Sequence, residues 1–136
     1  ISFVIEKDNK KLLFLADSHP SIIIESLKMH YSNQEFPIEF DIIKVSHHGG
    51  ITNTSKELLE LIDSKNYIIS SNGSKFGHPD IETIARIINR KSSFTRNLYF
   101  NYPPRFIKEI NDAKIKAKYL FEVYIAKDKA PIEINL

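Results

Sequence analysis

Four histidines and one aspartate of this 136-residue chain sit in positions where they could do chemistry. Asp17 closes the apolar run Leu12–Ala16, and His19 follows two residues later. His47 and His48 close a second run, Phe40–Val45, and His78 lies in the loop that follows a third, NYIIS. All four glycines fall between residues 49 and 77, close to these histidines. Glycine permits positive φ and lets backbone approach a ligand. The chain has no cysteine, which excludes disulfides, thiolate zinc sites and a cysteine nucleophile. Imidazole and carboxylate remain as ligands for zinc, manganese or iron. A carboxylate can bridge two ions, and two ions about 4 Å apart suit phosphoester hydrolysis.

Each residue also has a plainer role. An aspartate after a strand commonly caps the next helix. Adjacent histidines point opposite ways if they remain in a strand. Gly-His-Pro makes a tight turn before a helix, His19 suits a cap, and His30 suits the negative end of a helix dipole. What favours a site is the shared location of the group.

The elements that would position these residues follow from apolar periodicity. Ser2–Glu6 and Leu12–Ala16 read as strands of a hairpin around Lys7-Asp8-Asn9-Lys10. Pro20 opens a helix with Ile23, Ile24 and Leu27 as its stripe. Phe40–Val45 is a strand apolar enough for burial in a parallel sheet. Thr54 and Glu57 have capping-box spacing for a helix running to about Ser64. Residues 66–70 form the next strand, and Pro79 opens a helix carrying Ile81, Ile84, Ala85 and Ile88. A strand over NLYFNY, a short helix near 105–112 and a strand from Tyr119 to Ile125 complete the series. Alternating strands and helices predict a single α/β domain with a partly parallel sheet. Ligands in such folds gather where loops leave the carboxyl ends of strands.

Bulk properties narrow little else. The net charge of +2 is too small to imply nucleic-acid or membrane binding by itself. No apolar stretch approaches the roughly 20 residues that span a bilayer, and no signal peptide is visible, so the cytoplasm is the default expectation. The opening ISFVIE reads as mid-strand and lacks an initial Met, so a longer parent protein is expected. Lys108, Lys114, Lys116 and Lys118 are either a surface that steers a polyanion or a solvated face interspersed with Glu109 and Asp112.

The order KLLFLAD, DIIKVSHHGG, NTSKELLELI and YIISSNGSKFGHPDIETIARI resembles the metallo-β-lactamase fold. Within it, the chain is most similar to the branch holding the hydrolase domain of ComEC-type competence proteins. The resemblance is strongest over residues 2–90 and leaves 103–136 unassigned. It implies the C-terminal half of an αββα sandwich, a mixed sheet with flanking helices. It also implies Asp17 as the metal-bridging carboxylate and His78 as the last metal-ligand histidine. His47 and His48 would be the pair that meets substrate phosphate or moves protons. The intact domain would hold two zinc ions, with manganese as a substitute. It would be a phosphodiesterase or nuclease-type hydrolase using a metal-bound hydroxide, acting on DNA, RNA or a cyclic nucleotide.

Several features depart from that pattern. Gly50 stands in place of a usual serine, and Ser18 in place of a small residue. The His-x-His-x-Asp-His motif and the isolated ligand after it do not occur in the sequence. An N-terminal half is therefore the expected partner, packed on an exposed apolar sheet face. The alternatives are a degenerate, non-catalytic interaction module and hydrolysis of a lactone or thioester.

Overall fold

The computed structural model describes residues 1–128 and 130–136. Strands β1 (Phe3–Lys7) and β2 (Lys10–Phe14) pair antiparallel. They turn through Asp8 and Asn9, both at positive φ (51° and 61°). That is the two-residue pattern whose twist matches a hairpin. Helix α1 (Pro20–His30) begins with Pro20 in its first turn and with His19 at the N-cap, where Nδ1 accepts from the Ser21 N–H. The cap is therefore His19 and not Asp17.

The run expected as one strand over Phe40–Val45 is two. Strand β3 (Ile38–Phe40) and strand β4 (Ile42–Lys44) are separated at Asp41. The Asp41 carboxylate accepts from the Lys11 N–H (2.8 Å) and pairs with Lys10 (3.4 Å), which bends the chain toward β2. Helix α2 (Lys56–Leu61) is shorter than the pattern predicts. Ser55 rather than Thr54 caps it, its Oγ accepting from the Leu58 N–H at 3.1 Å. Its C-terminal side is claimed by strand β5 (Ile62–Ser64), which pairs parallel with β3 in a small second sheet. Here pairing overrides helical periodicity.

Strand β6 (Asn66–Ile69) leads through a long loop to helix α3 (Ile81–Ile88), two residues beyond the expected start at Pro79. Strand β7 (Arg96–Phe100), helix α4 (Ile107–Ile110), helix α5 (Ala113–Tyr119) and strand β8 (Phe121–Ile125) follow. Helix α5 lies between two expected elements. Its AKIKAKY sequence has no buried stripe, and Asp112 holds it by accepting from the Lys114 and Ile115 N–H groups (both 3.0 Å).

The main sheet has the order β1-β2-β4-β6-β7-β8. Only β1 runs against the others. The protein is thus α/β, with a mixed sheet flanked by helices. Cross-strand partners share a face. Leu13, Ile43, Tyr67, Leu98 and Val123 form one such row. That row packs with Ile23 and Leu27 of α1, Leu58 of α2, Ile84 and Ile87 of α3 and Ile110 of α4 in a single core.

The opposite face carries the row Phe3, Phe14, Lys44, Ile68, Tyr99 and Tyr124. None of these six belongs to the core. Phe3 and Phe14 stack at 4.9 Å and Tyr99 and Tyr124 at 4.8 Å between ring centres. Phe3 and Tyr124 remain nearly half exposed. Helices cover one side of the sheet, and a largely apolar row crosses the other.

At the amino end of β7, Arg96 is fully buried and grips Asp63 with Nε (3.0 Å) and Nη2 (2.6 Å). Arg90 adds a contact to the same carboxylate at 3.1 Å, and Tyr67 OH donates to it at 2.9 Å. Burial alone would raise the Asp63 carboxyl. Hydrogen bonding from Arg96 and the charges of Arg90 and Arg96 outweigh it and hold the group below the usual carboxylate range.

Candidate functional site

Strands β2, β4, β6 and β7 run parallel, so their carboxyl ends share one edge of the sheet. The chain leaves β2 through Ala16, at φ 44°, toward Asp17. The loop after β4 is tied to that turn: the His47 N–H and the Ser46 hydroxyl both donate to the Ala16 carbonyl, each at 2.8 Å. The loop after β6 closes over both, because the Asp80 N–H donates to Gly49 O (3.0 Å) and Asp80 Oδ2 accepts from the Ile51 N–H (2.8 Å).

His47 and His48 are both in the left-handed region, at φ 43° and 55°. For non-glycine residues this conformation costs roughly 1–2 kcal/mol each and persists where surrounding structure fixes it. The fixing contacts are visible. His47 Nδ1 lies 3.0 Å from Asn53 Oδ1. Asn53 Nδ2 donates to Ser18 O, so Oδ1 is the acceptor and His47 Nδ1 carries the proton. His48 Nδ1 lies 2.6 Å from Ser70 O, and a carbonyl can only accept, so it too is protonated. In the neutral rings both Nε2 atoms are left with a free lone pair. That is the state of a metal ligand or general base.

The His78 ring centre lies 5.4 Å from that of His47, with Phe76 6.4 Å from His47 and 6.0 Å from His78. His78 Nδ1 is buried without a hydrogen-bond partner; Asp80 Oδ2 stands 3.4 Å away, within ion-pair range but not in hydrogen-bonding geometry. Two glycines make this packing possible. At Gly49, φ is 89° and a β-carbon would stand 2.6 Å from Pro79 Cβ. At Gly50 a β-carbon would stand 3.2 Å from Cε1 and Nε2 of His78. His48 and His78 border an open cleft of about 310 Å3 whose other wall is the 70–76 loop with Asn101 and Tyr102.

The sequence-selected residues therefore separate into two groups. His47, His48 and His78 come together. Asp17 lies on the neighbouring loop, exposed, where its negative charge acts on Lys44. Desolvation lowers the Lys44 ammonium and Asp17 partly opposes that. His19 is occupied as a helix cap, and His30 ends α1 with its ring edge-on to Tyr31 at 4.7 Å. The chemistry of the donors suits a divalent ion such as zinc. Yet no three His, Asp or Glu side chains among the described residues come together as a metal-holding group. By themselves they do not fit a two-ion centre.

Asn53, Asp80, Lys44 and Phe76 were not singled out from the sequence. Asp80 follows His-Pro and precedes a helix, which reads as a cap, but its carboxylate reaches Ile51 instead. Asn53 has no signal beyond lying six residues from His47.

Comparisons of the chain with protein-family models, with curated proteins and with solved structures gave no match. Among the described residues no helix is long and apolar enough to cross a membrane.

Proposed function

We propose that this chain is part of a metal-dependent hydrolase resembling the ComEC-like branch of the metallo-β-lactamase fold, acting on phosphodiesters. The observation that carries the reading is the pair His47 and His48. Two successive imidazoles are held in a costly conformation, each with Nδ1 tied down and Nε2 free, beside His78 at the carboxyl ends of parallel strands. Neutral, an imidazole held this way can take a proton at Nε2; once it carries that proton it can donate a hydrogen bond to a phosphoryl oxygen or hand the proton on. Asp17 and His78 are the residues of this chain proposed to hold metal, zinc or manganese. The remaining ligands would come from a first half of the domain. The row from Phe3 to Tyr124 on the sheet face away from the core is where that half would pack, as sheets do face to face. A cytoplasmic setting goes with this reading.

The test is metal content by elemental mass spectrometry of the longest in-frame protein containing the segment, beside its Asp17→Ala/His78→Ala variant. About two ions per chain, lost in the variant together with cleavage of a phosphodiester, would support the reading. No metal after loading with zinc or manganese would overturn it. The second reading, a domain that has lost its metals and serves as an interaction module, is favoured by Lys44. Its cation lies close enough to Asp17 to be stabilised by it, as a metal would be.

A further inference from the structure

We infer that the cleft beside His48 and His78 is a nucleotide subsite, in which Phe76 and Tyr102 offer stacking surfaces for a base while Lys75 and Arg105 hold its phosphate. The inference names the substrate unit of the site proposed above and rests on that reading for the reacting group.

The cleft volume, about 310 Å3, is at the lower end for small-ligand pockets. Its walls carry two aromatic side chains that the fold does not bury: Phe76 is 63% exposed and Tyr102 42%. A single exposed aromatic needs no explanation. Two on one cleft, one of them against the rings of His47 and His78, place flat apolar surface where a ring would lie close to the histidines. Base stacking on such side chains tolerates any base, because every base has a π-face.

Lys75 is on the lining of the cleft, Arg105 stands just outside it, and the Asp80 carboxylate lies behind His78, 3.4 Å from its Nδ1. No Asp or Glu lines the cleft. Lys75 Nζ sits 5.2 Å from the Phe76 ring centre, and the Arg105 guanidinium packs on Gly77 at the end of the same loop, close enough that a β-carbon there would be 3.1 Å from Nη1. Neither cation is ion-paired among the described residues. An apolar ligand would leave both charges without a role, and inorganic phosphate would leave both rings without one. A nucleoside phosphate uses all four, whether free or as one unit of a single strand.

The test is binding, without metal or turnover. The protein in EDTA is titrated with thymidine 5′-monophosphate, with a short 5′-labelled oligothymidylate, and with inorganic phosphate as control. Phe76→Ala, Tyr102→Ala and Arg105→Ala are measured beside it. Phe76 is so exposed that its truncation leaves the core untouched. A nucleotide probe should bind, and Phe76→Ala should weaken it by about tenfold, the size of one lost stack. Arg105→Ala should weaken it with a shallower dependence on salt. Equal affinity for the two nucleotide probes assigns the cleft to free nucleotides, and much tighter binding of the oligothymidylate assigns it to a strand. Binding of neither at millimolar concentration, or binding equalled by phosphate and indifferent to Phe76→Ala, overturns the inference. Since EDTA removes metal, such a failure leaves the hydrolase reading intact. Absence of metal from the longer protein would likewise leave a positive binding result standing.

Discussion

The imidazole of His78 lies against the backbone of Gly50, so closely that a β-carbon at Gly50 would stand 3.2 Å from both Cε1 and Nε2. Gly50 itself is at φ −66° and ψ 137°, which any residue adopts. Crowding alone therefore decides what a side chain does there. Gly50→Ser should displace the His78 ring by a few tenths of an ångström while costing no more than about 1 kcal/mol, at the low end for overpacking. A shifted His78 Cε1–H resonance with a nearly unchanged Tm is the expected result. An unmoved resonance would show that the ring is not held against this glycine.

Gly49 makes the contrasting case. A β-carbon there would meet Pro79 Cβ at 2.6 Å, and φ is 89°. Overpacking and left-handed strain then add. Gly49→Ala should cost about 2–4 kcal/mol. Urea unfolding should show a lower midpoint with an unchanged slope.

The strands that carry the site were legible because their apolar, β-branched runs suit a buried sheet, and strand ends told where loops would gather. The grouping of His47, His48 and His78 follows from that topology. What could not be read was the local geometry. Nothing in the letters His-His predicts two left-handed residues, because that conformation is imposed by Asn53 and Ser70 from elsewhere in the chain. The break at Asp41 depends on its contacts with Lys10 and Lys11, thirty residues away. The early end of α2 depends on β3 pairing with β5. Helix α5 escaped because it buries no residue and so shows no stripe.

His48→Gly sets opposing effects against each other. Relief of left-handed strain contributes about 1–2 kcal/mol. Loss of the bond to Ser70 O costs about 1 kcal/mol, and added chain entropy about 0.5–1 kcal/mol. The sum is near zero, so thermal unfolding should change little although the residue sits in a tight turn. If the proposed hydrolase reading holds, phosphodiester cleavage by a protein containing this segment should be lost while Tm stays. A large fall in Tm would make His48 a structural residue.

Asp63 gives a prediction in pH. Its carboxyl titrates lower in the folded protein than in the unfolded chain. The folded state therefore gains stability at pH above the unfolded value, and loses it as pH falls through the lower, folded value. Asp63→Asn should flatten the acid limb of a Tm-against-pH curve. It should also be less stable at neutral pH, by about 3–5 kcal/mol, because Arg96 would remain buried without its anion. An acid limb as steep as that of the parent would assign acid unfolding to other carboxylates.

The row Phe3, Phe14, Lys44, Ile68, Tyr99 and Tyr124 crosses all six strands on the face opposite the one that packs with α1, α2, α3 and α4. Lys44 in its middle is half-buried, and desolvation pulls its ammonium below the usual lysine range. A largely apolar row left outside the core of a folded domain marks a contact face. The 136-residue chain should bind the dye ANS in its folded state and associate weakly in the ultracentrifuge. Ile68→Lys, at a half-exposed position outside the core, should reduce both while leaving far-UV circular dichroism unchanged. If a first half of the domain packs on this face as proposed, the same substitution in a protein holding both halves should be costly, by about 2–5 kcal/mol, since it would place a second cation beside Lys44 in a closed sheet-to-sheet interface without a partner. Equal tolerance of Ile68→Lys in the short and long proteins would mean that the face stays open to solvent and that no second sheet packs on it.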